Sequence, residues 1–129
     1  TRLGLIPATI GPYVVARLGE GMARRIFMSA RVFGTAEAFK LGLIAGFSDE
    51  DSLEAAVAVH VHPYLSVAPG AVGSAKALVR ALGPRIDGAV IDDTITRLAD
   101  TWEGEEAEEG IDAFLSKRHA RWATNSLNS

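Results

Sequence analysis

The sequence predicts a mainly α-helical fold, and two observations support this prediction. In almost every segment of the 129 residues, apolar side chains recur every three to four positions, which is the period of one face of an α-helix. Glycine and proline stand between these segments, where helices begin and end. Only residues 3–6 and a stretch near Phe47 have the composition of strands. Such helices could form their own bundle, or could cover a sheet elsewhere in a longer polypeptide.

The first two elements in chain order are a strand end and a broken helix. Residues 3–6 predict the end of a strand, which Pro7 closes. A helix is expected to begin near Pro12, because the N–H that proline lacks has no helical partner in the first turn. Gly19 should divide this helix into two short ones.

Two helices are predicted in the middle of the chain. Thr35 is expected to cap the first, because its hydroxyl can accept from a free helical N–H, and Gly42 should end it. Residues 43–48 predict a brief strand. The sequence DSLE at 51–54 is typical of a capping box that opens the next helix, and Pro63 should kink or end that helix. The apolar face of this helix consists of Leu53, Val57, Val61 and Tyr64.

Three further helices complete the prediction. The first of them should stop at Gly83 and Pro84. The second has a regular apolar stripe of Ile91, Ile95, Leu98 and Trp102. The last should run over about 105–118, with glutamates at its start and Lys117 and Arg118 at its end, as the helix dipole favours.

The last helix and the tail complete the expected organisation. The inward face of the helix is expected to hold Ile111, Phe114 and Leu115. The sequence TNSLNS that ends the chain is expected to be frayed. The expected divisions are a strand end and turn over 1–11, a helical region over 12–122 and a flexible tail over 123–129.

Composition and charge exclude several classes of function. The formal net charge is −3, so no broad positive field would attract nucleic acid. The sequence has no cysteine, which excludes disulfides and thiolate metal sites. The apolar stretch SLEAAVAVHVHPYLSVA is short and interrupted by charged or polar residues, and no charged-then-apolar leader is seen. We therefore expect a soluble, cytoplasmic protein with neither nucleic acid nor membrane as a partner.

Few residues suggest chemistry by their pattern alone. His60 and His62 point to different sides of a helix and have no carboxylate partner at helical spacing, so we expect no metal site there. The acidic run at 103–110 is typical of a glutamate-rich first helical turn. The sequence GAVGSAK lacks the spacing of a phosphate-binding loop. The segment AFLSKRHARW at 113–122 is the strongest candidate, because a ring and several cations there could meet an adenine or a phosphate.

Four segments in order resemble the C-terminal half of the enoyl-CoA hydratase/isomerase (crotonase) family. They are LGLIPATIGPYVVARLG, ARRIFMSARVFGTAEAFKLGLI, APGAVGSAKALVRAL and EEAEEGIDAFLSKRHARW. The resemblance runs over residues 1–122. The segment LGLIPATIGPYVV is similar to the corresponding sequence of bacterial hydratases that act on branched, carboxylated substrates such as methylglutaconyl-CoA.

The resemblance implies where the catalytic groups of such an enzyme lie. A ββα-spiral core precedes this region in the family. It supplies one backbone N–H of the oxyanion hole that stabilises the enolate, and a glycine-rich segment that follows supplies the other. Two glutamates handle the protons of the added water, one in that core and one immediately before Thr1 by this alignment. No catalytic carboxylate is then expected within the chain. Pro7, Ala8 and Gly11 correspond to the active-site turn. Ala8 stands where the family more often has glycine, and its N–H is expected to hold the reacting water.

The resemblance also implies a carrier and an oligomer. Phe114 and Lys117 match positions that approach the adenine and phosphate end of coenzyme A, typically from a neighbouring subunit. Coenzyme A would be the substrate carrier, with no other cofactor and no metal. The family forms trimers and dimers of trimers through this helical region. His119 and Ala120 depart from the Lys-Pro that relatives often have.

The sequence leaves three hypotheses about the function open. In the first, the chain is part of a hydratase-type enzyme, and isomerase, dehalogenase and hydrolase chemistries remain alternatives because upstream residues would choose among them. In the second, it is a non-catalytic helical module for oligomerisation or interaction. A helical nucleic-acid binder is disfavoured by the acidic balance.

Overall fold

The structure, a computed structural model, describes residues 1–123 and is built from helices. They are α1 (Gly11–Ser29), α2 (Thr35–Lys40), α3 (Leu53–Val61), α4 (Pro69–Leu82), α5 (Gly88–Trp102) and α6 (Glu105–Leu115), with 3-10 turns at Glu50–Ser52 and His62–Ser66. The mainly α-helical prediction is confirmed over these residues. The strands predicted at 3–6 and 43–48 are wrong, since no strand forms in residues 1–123. The frayed tail predicted for 124–129 lies outside the described residues.

The chain divides into two compact units. The first unit contains Thr1–Val32 and the chain from Ile86 onward, and therefore holds α1, α5 and α6. The second unit is Phe33–Arg85, with α2, α3 and α4. Both predicted functional segments, the turn and the last helix, belong to the first unit.

Helix α1 begins and breaks where glycine and proline predict. It starts at Gly11 with Pro12 in its first turn, and Gly19 interrupts it with φ 73° and ψ 163°, a conformation open almost only to glycine. The predicted division into two short helices is confirmed. The last turns of α1 are hydrogen-bonded to the start of the chain, because the hydroxyl of Thr1 donates to the carbonyl of Phe27 at 2.9 Å.

Helix α2 confirms the predicted end but not the predicted cap. Its N-cap is Gly34, and Thr35 is already the first helical residue, so the threonine hydroxyl is one position too late to cap the helix. Gly42 has φ 77° and ends the helix as predicted. The Gly42 N–H donates to Phe39 and the Leu43 N–H to Ala38, both at 2.9 Å. Instead of the predicted strand, Phe47 folds back to meet Phe39 edge-to-face at 5.7 Å between ring centroids.

Helix α3 begins without the predicted capping box. Ser52 is its N-cap, but the Ser52 hydroxyl donates to the carbonyl of Asp49 at 3.1 Å, so it accepts no helical N–H. The capping box predicted for 51–54 is therefore wrong, because Asp51, which would open it, lies inside the 3-10 turn Glu50–Ser52. Helix α3 ends at Val61 and passes into the 3-10 turn that contains Pro63, which confirms the predicted end. Helix α4 stops at Gly83 as predicted.

Helices α5 and α6 follow each other with a short connection and contact one another. Asp87 caps α5, since its carboxylate accepts from the N–H of Val90 at 3.2 Å. Helix α6 ends at Leu115, three residues earlier than predicted, because Lys117 adopts φ 53° and reverses the chain.

The N-terminal segment and α6 pack with their backbones in contact. A Cβ added to Gly4 would lie 2.3 Å from the backbone of Glu106, and one added to Gly110 would lie 2.5 Å from the carbonyl carbon of Leu3. The two backbones therefore cross in contact, with glycine on both sides. Ala107 and Ala113, on the same stretch of α6, are 0% and 2% exposed.

Large apolar side chains are not buried in the described residues. The buried hydrophobic residues are all alanines, namely Ala8, Ala23, Ala107 and Ala113. Phe114 and Leu115 were expected to face inward, and this is wrong because they are 68% and 72% exposed. The predicted apolar face of α3 is likewise open, with Val57 50% exposed. The helical period predicted which residues share a face, but that face is largely exposed in the described residues.

Helix length and composition decide whether residues 1–123 contain a membrane-spanning helix. No single helix in this range is long and apolar enough to cross a bilayer. One helix pair, Glu50–Ser66 with Pro69–Leu82, meets the length and composition together but is bent by 108°.

The glycine crossing gives a first prediction. Gly110→Ala places a methyl group against the Leu3 backbone and should destabilise the first unit by roughly 1–3 kcal/mol, the usual cost of forcing atoms into a packed contact. The free energy of unfolding is measured by urea titration with circular dichroism. Gly21→Ala is the matched control, because nothing lies within 4 Å of a Cβ there. As a helical Gly→Ala change it should be neutral or stabilise by up to about 1 kcal/mol. Equal effects of the two substitutions would contradict the crossing.

Candidate functional site

The predicted turn residues form one compact bend that leads into α1. The N–H of Ala8 donates to the carbonyl of Ile6 at 2.9 Å, so the chain makes a three-residue turn around Pro7. The N–H of Gly11 then donates to the carbonyl of Ala8 at 3.2 Å. Ala8 is 8% exposed, whereas a side chain at Gly11 would meet open space. The Ala8 N–H, predicted to hold a water, is engaged within the turn in this structure.

A groove of about 310 Å³ lies beside this turn, and we call it the Ala8 groove. One wall comes from the turn and the start of α1, and the other from one face of α5. The lining residues are Ala8, Thr9, Pro12, Tyr13, Ile91, Thr94, Ile95 and Leu98. The α5 stripe predicted as core therefore forms a groove wall, with Ile95 60% exposed.

The chemistry that the Ala8 groove offers is limited. Among the described residues, its lining includes no carboxylate and no imidazole. Thr94 is not available as an unbound donor, because its hydroxyl bonds the carbonyl of Ile91 at 2.8 Å. This groove can hold and orient an apolar group. Among its described lining residues only the Tyr13 phenol is of a type used in acid–base catalysis, so the groove offers no acid–base pair.

Phe114 lines a second groove, of about 460 Å³, which we call the Phe114 groove. It lies where the N-terminal segment meets the end of α6 and the residues that follow. The lining residues are Arg2, Leu3, Gly110, Ala113, Phe114, Arg118, His119, Ala120, Trp122 and Ala123. The structure thus places two aromatic side chains and two arginines around one groove. Lys117, the other residue predicted to approach coenzyme A, is adjacent in sequence but not part of the lining.

Lys117 has an uncommon backbone conformation. Its φ is 53°, in the left-handed region that glycine usually occupies after a helix. The Lys117 N–H donates to Phe114 at 3.2 Å and the Arg118 N–H to Ala113 at 2.9 Å, so the residue closes the helix in place of a glycine. A non-glycine residue here carries backbone strain of order 1 kcal/mol. Lys117 is exposed at this turn.

Glu109 anchors the chain that follows α6, and sequence reasoning missed it. Its Oε1 accepts from Nη1 of Arg118 at 2.7 Å and its Oε2 from Nη2 at 2.9 Å, and Oε1 also accepts the backbone N–H of Arg121 at 2.9 Å. The Glu109 side chain is 11% exposed. We call this arrangement the Glu109 clamp. Its residues are 9 and 12 positions apart and span a helix end, so no helical spacing indicates them.

The clamp shifts the pKa values of its members. The hydrogen bonds from Arg118 lower the pKa of Glu109 to about 2, with a further contribution from the Arg121 N–H. Glu109 and Asp112 in turn raise the pKa of the Arg118 guanidinium. The charge of Arg118 is therefore matched by two carboxylates. Sequence reasoning had assigned Glu109 only to a glutamate-rich first turn.

The two histidines weighed as metal ligands lie on exposed positions. His60 lies in the last turn of α3, and His62 begins the 3-10 turn that follows. Over residues 1–123 no group of three or more histidine, cysteine, aspartate and glutamate side chains is arranged to hold a metal ion.

Comparison with known proteins shows the family. The model of the enoyl-CoA hydratase/isomerase family matches residues 1–125, nearly the whole chain. This chain therefore belongs to the enoyl-CoA hydratase/isomerase family. A comparison with individual curated sequences gave no match.

Solved structures agree with this placement. AtuE of Pseudomonas aeruginosa is 37% identical, with a TM-score of 0.58, and the match covers 95% of this chain and 48% of AtuE. An enoyl-CoA hydratase from Mycobacterium avium is 26% identical, with a TM-score of 0.74 and coverage of 95% and 48%. A putative enoyl-CoA hydratase/isomerase from Legionella pneumophila is 35% identical, with a TM-score of 0.54 and coverage of 94% and 47%. The chain spans about half the length of these structures.

The Glu109 clamp predicts a pH dependence of stability. Folding lowers the pKa of Glu109 from 4.5 to about 2, so its ionised carboxylate stabilises the folded state above the ordinary pKa. That contribution declines as pH falls from 4.5 to about 2. The wild-type chain should therefore lose stability more steeply over this interval than Glu109→Gln, in urea unfolding at a series of pH values.

Glu108→Gln is the matched control for this experiment. Glu108 is the exposed neighbour of Glu109 on the same helix. Its substitution should retain the wild-type pH profile. Parallel profiles for wild type and Glu109→Gln would contradict the clamp.

Proposed function

We propose that this chain is the C-terminal part of a hydratase-type enzyme that reversibly adds water to a 2-enoyl-CoA thioester. The family match over residues 1–125 carries this proposal, together with coverage of about half of each related structure. The similarity of the segment LGLIPATIGPYVV to such bacterial hydratases favours a branched, carboxylated acyl group of the methylglutaconyl type. Isomerisation of the double bond is the alternative chemistry within the same family.

In this proposal the described residues bind and orient while other residues carry the protons. Hydration requires a base at the β-carbon and an acid at the α-carbon, and the described lining residues of the Ala8 groove do not include such a pair. The two glutamates and the oxyanion-hole donors are then supplied by residues other than 1–123. The turn at Ala8 contributes its N–H to the reacting water, exchanging the 2.9 Å bond to Ile6 for it.

Coenzyme A is proposed as the substrate carrier, with no further cofactor. Phe114 offers an exposed ring to the adenine, and Lys117 offers an ammonium group to a phosphate. The left-handed backbone at Lys117 supports this role, because glycine would fit that position with less strain. A lysine at such a position is a candidate for a function of its side chain.

An activity assay tests the proposal. The isolated 129-residue chain should show no hydration of crotonyl-CoA, followed by loss of the enoyl-thioester absorbance, because its turn lacks an acid–base pair. A longer protein that adds the preceding family core should hydrate the same substrate. Robust turnover by the 129 residues alone, or none by the longer protein, would contradict the proposal.

Association through the helices is a second proposal, and the exposed apolar faces favour it. On α4, Leu78 and Leu82 are 59% and 79% exposed and lie one helical turn apart. Such surface normally packs against a partner. We propose that the chain forms homo-oligomers, as trimers or hexamers, through these helical faces.

Sedimentation equilibrium tests this association. The wild-type chain should sediment as an oligomer, and Leu82→Glu should shift it toward the monomer because it places a charge on the apolar face. Arg80→Glu is the control, since it adds negative charge on the opposite side of α4 and should leave the mass unchanged. A clean wild-type monomer would contradict the proposed oligomer.

A further inference from the structure

Glu109 is enclosed although its neighbours on α6 face solvent. Glu105, Glu106 and Glu108 are exposed, whereas the Glu109 side chain is 11% exposed and accepts three hydrogen bonds. No step of the proposed reaction uses this carboxylate. Its position is explained instead by what it holds, which is the segment of residues 116–121, here called the C-terminal turn.

The C-terminal turn reverses the chain and returns it to α6. The reversal begins at Lys117, with φ 53°. Glu109 then fixes the turn at two points, the Arg118 guanidinium and the Arg121 backbone N–H. Trp122 follows immediately after the second point. A carboxylate bonded to an arginine fork and to a backbone N–H constrains both position and orientation.

This return of the chain makes one side of the Phe114 groove. Trp122 and Ala120 line the groove from the returning segment, and Phe114 lines it from α6. Arg2 lines it from the N-terminal segment, which the glycine crossing holds against α6. Without the Glu109 clamp, the only side-chain hydrogen bond or ion pair between the described residues after Lys117 and α6 is the one from Arg118 to Asp112.

We propose that Glu109 is a positioning residue for the nucleotide end of coenzyme A, holding the C-terminal turn so that Trp122 shares the Phe114 groove with Phe114 and Arg2. This inference rests on the proposed function, because it takes coenzyme A as the carrier. Glu109 itself touches no part of the ligand.

The groove has the chemistry that such a nucleotide needs. Aromatic side chains stack on adenine, and an arginine fork matches a phosphate. The charge of Arg118 is already matched by Glu109 and Asp112. Arg2 is exposed and forms no ion pair with any residue of the described chain, so it is the arginine of this groove that is open to a phosphate.

Tryptophan fluorescence gives a direct test on the 129-residue chain. The sequence has two tryptophans, and Trp102 lies outside the groove, so Trp102→Phe leaves Trp122 as the reporter. Coenzyme A should quench this emission saturably, whereas pantetheine, which lacks the nucleotide, should not. Adding Glu109→Gln should weaken coenzyme A binding about tenfold or more, since hydrogen bonds to a charged group are lost from the clamp. Adding Glu108→Gln instead should leave the affinity unchanged.

The outcomes separate this inference from the function on which it rests. Saturable quenching by coenzyme A with equal affinity in Glu109→Gln would overturn the positioning role alone. Absence of quenching in the Trp102→Phe chain would overturn the groove and, with it, the coenzyme A site. If Glu109→Gln loses helical circular dichroism, the affinity of Arg118→Lys for coenzyme A tests the inference instead. This substitution keeps the positive charge but loses the bidentate hydrogen bond to Glu109. An unchanged affinity in Arg118→Lys would overturn the inference.

Discussion

The backbone contact between Gly4 and α6 is the constraint on which the first unit depends. A Cβ at Gly4 or at Gly110 would lie well inside the van der Waals radius of the opposing backbone. Because neither residue has one, the N-terminal segment can lie directly on the helix. Gly4 also has φ 72°, which lets the chain bend at that contact. The crossing is made by small residues, and the fully buried Ala107 lies within it.

This crossing connects the Ala8 groove with the Phe114 groove. On one side of Gly4, Arg2 and Leu3 reach the Phe114 groove. On the other side, the chain continues into the turn at Ala8 and the groove shared with α5. The same short segment therefore contributes to both grooves. The Glu109 clamp completes the arrangement by fixing the chain after α6. The backbone contact at Gly4 thus positions the N-terminal segment, and the charged hydrogen bonds of Glu109 position the C-terminal turn.

Local signals predicted much of the fold. Gly19, Gly42 and Gly83 end or break helices where they were expected to, because each acts through its own backbone. Predictions that depended on side-chain hydrogen bonds did less well. The hydroxyl of Thr35 is one residue too late to cap α2, and that of Ser52 bonds Asp49 instead of α3.

The candidate site shows a similar division between local and distant signals. The resemblance to the family indicated the turn at Ala8 and Phe114, because each lies within one continuous sequence motif. The contact of Gly4 with Gly110 and the bond of Glu109 to Arg121 join residues far apart in sequence, and no periodic pattern marks them. Periodicity also predicted that Phe114 faces inward, whereas the residue is 68% exposed. A helical stripe specifies a face but not its partner, and Phe114 faces a groove.

The most direct test of this account is the nuclear Overhauser effect between the α-protons of Leu3 and Gly110 in the 129-residue chain. The Leu3 Cα would lie 2.8 Å from a Cβ at Gly110, so the two backbones are in contact. The account predicts a strong cross-peak between these protons under native conditions and its loss on unfolding in urea. A folded chain, with native helical circular dichroism but without this cross-peak, would contradict the central claim that the N-terminal segment lies on α6.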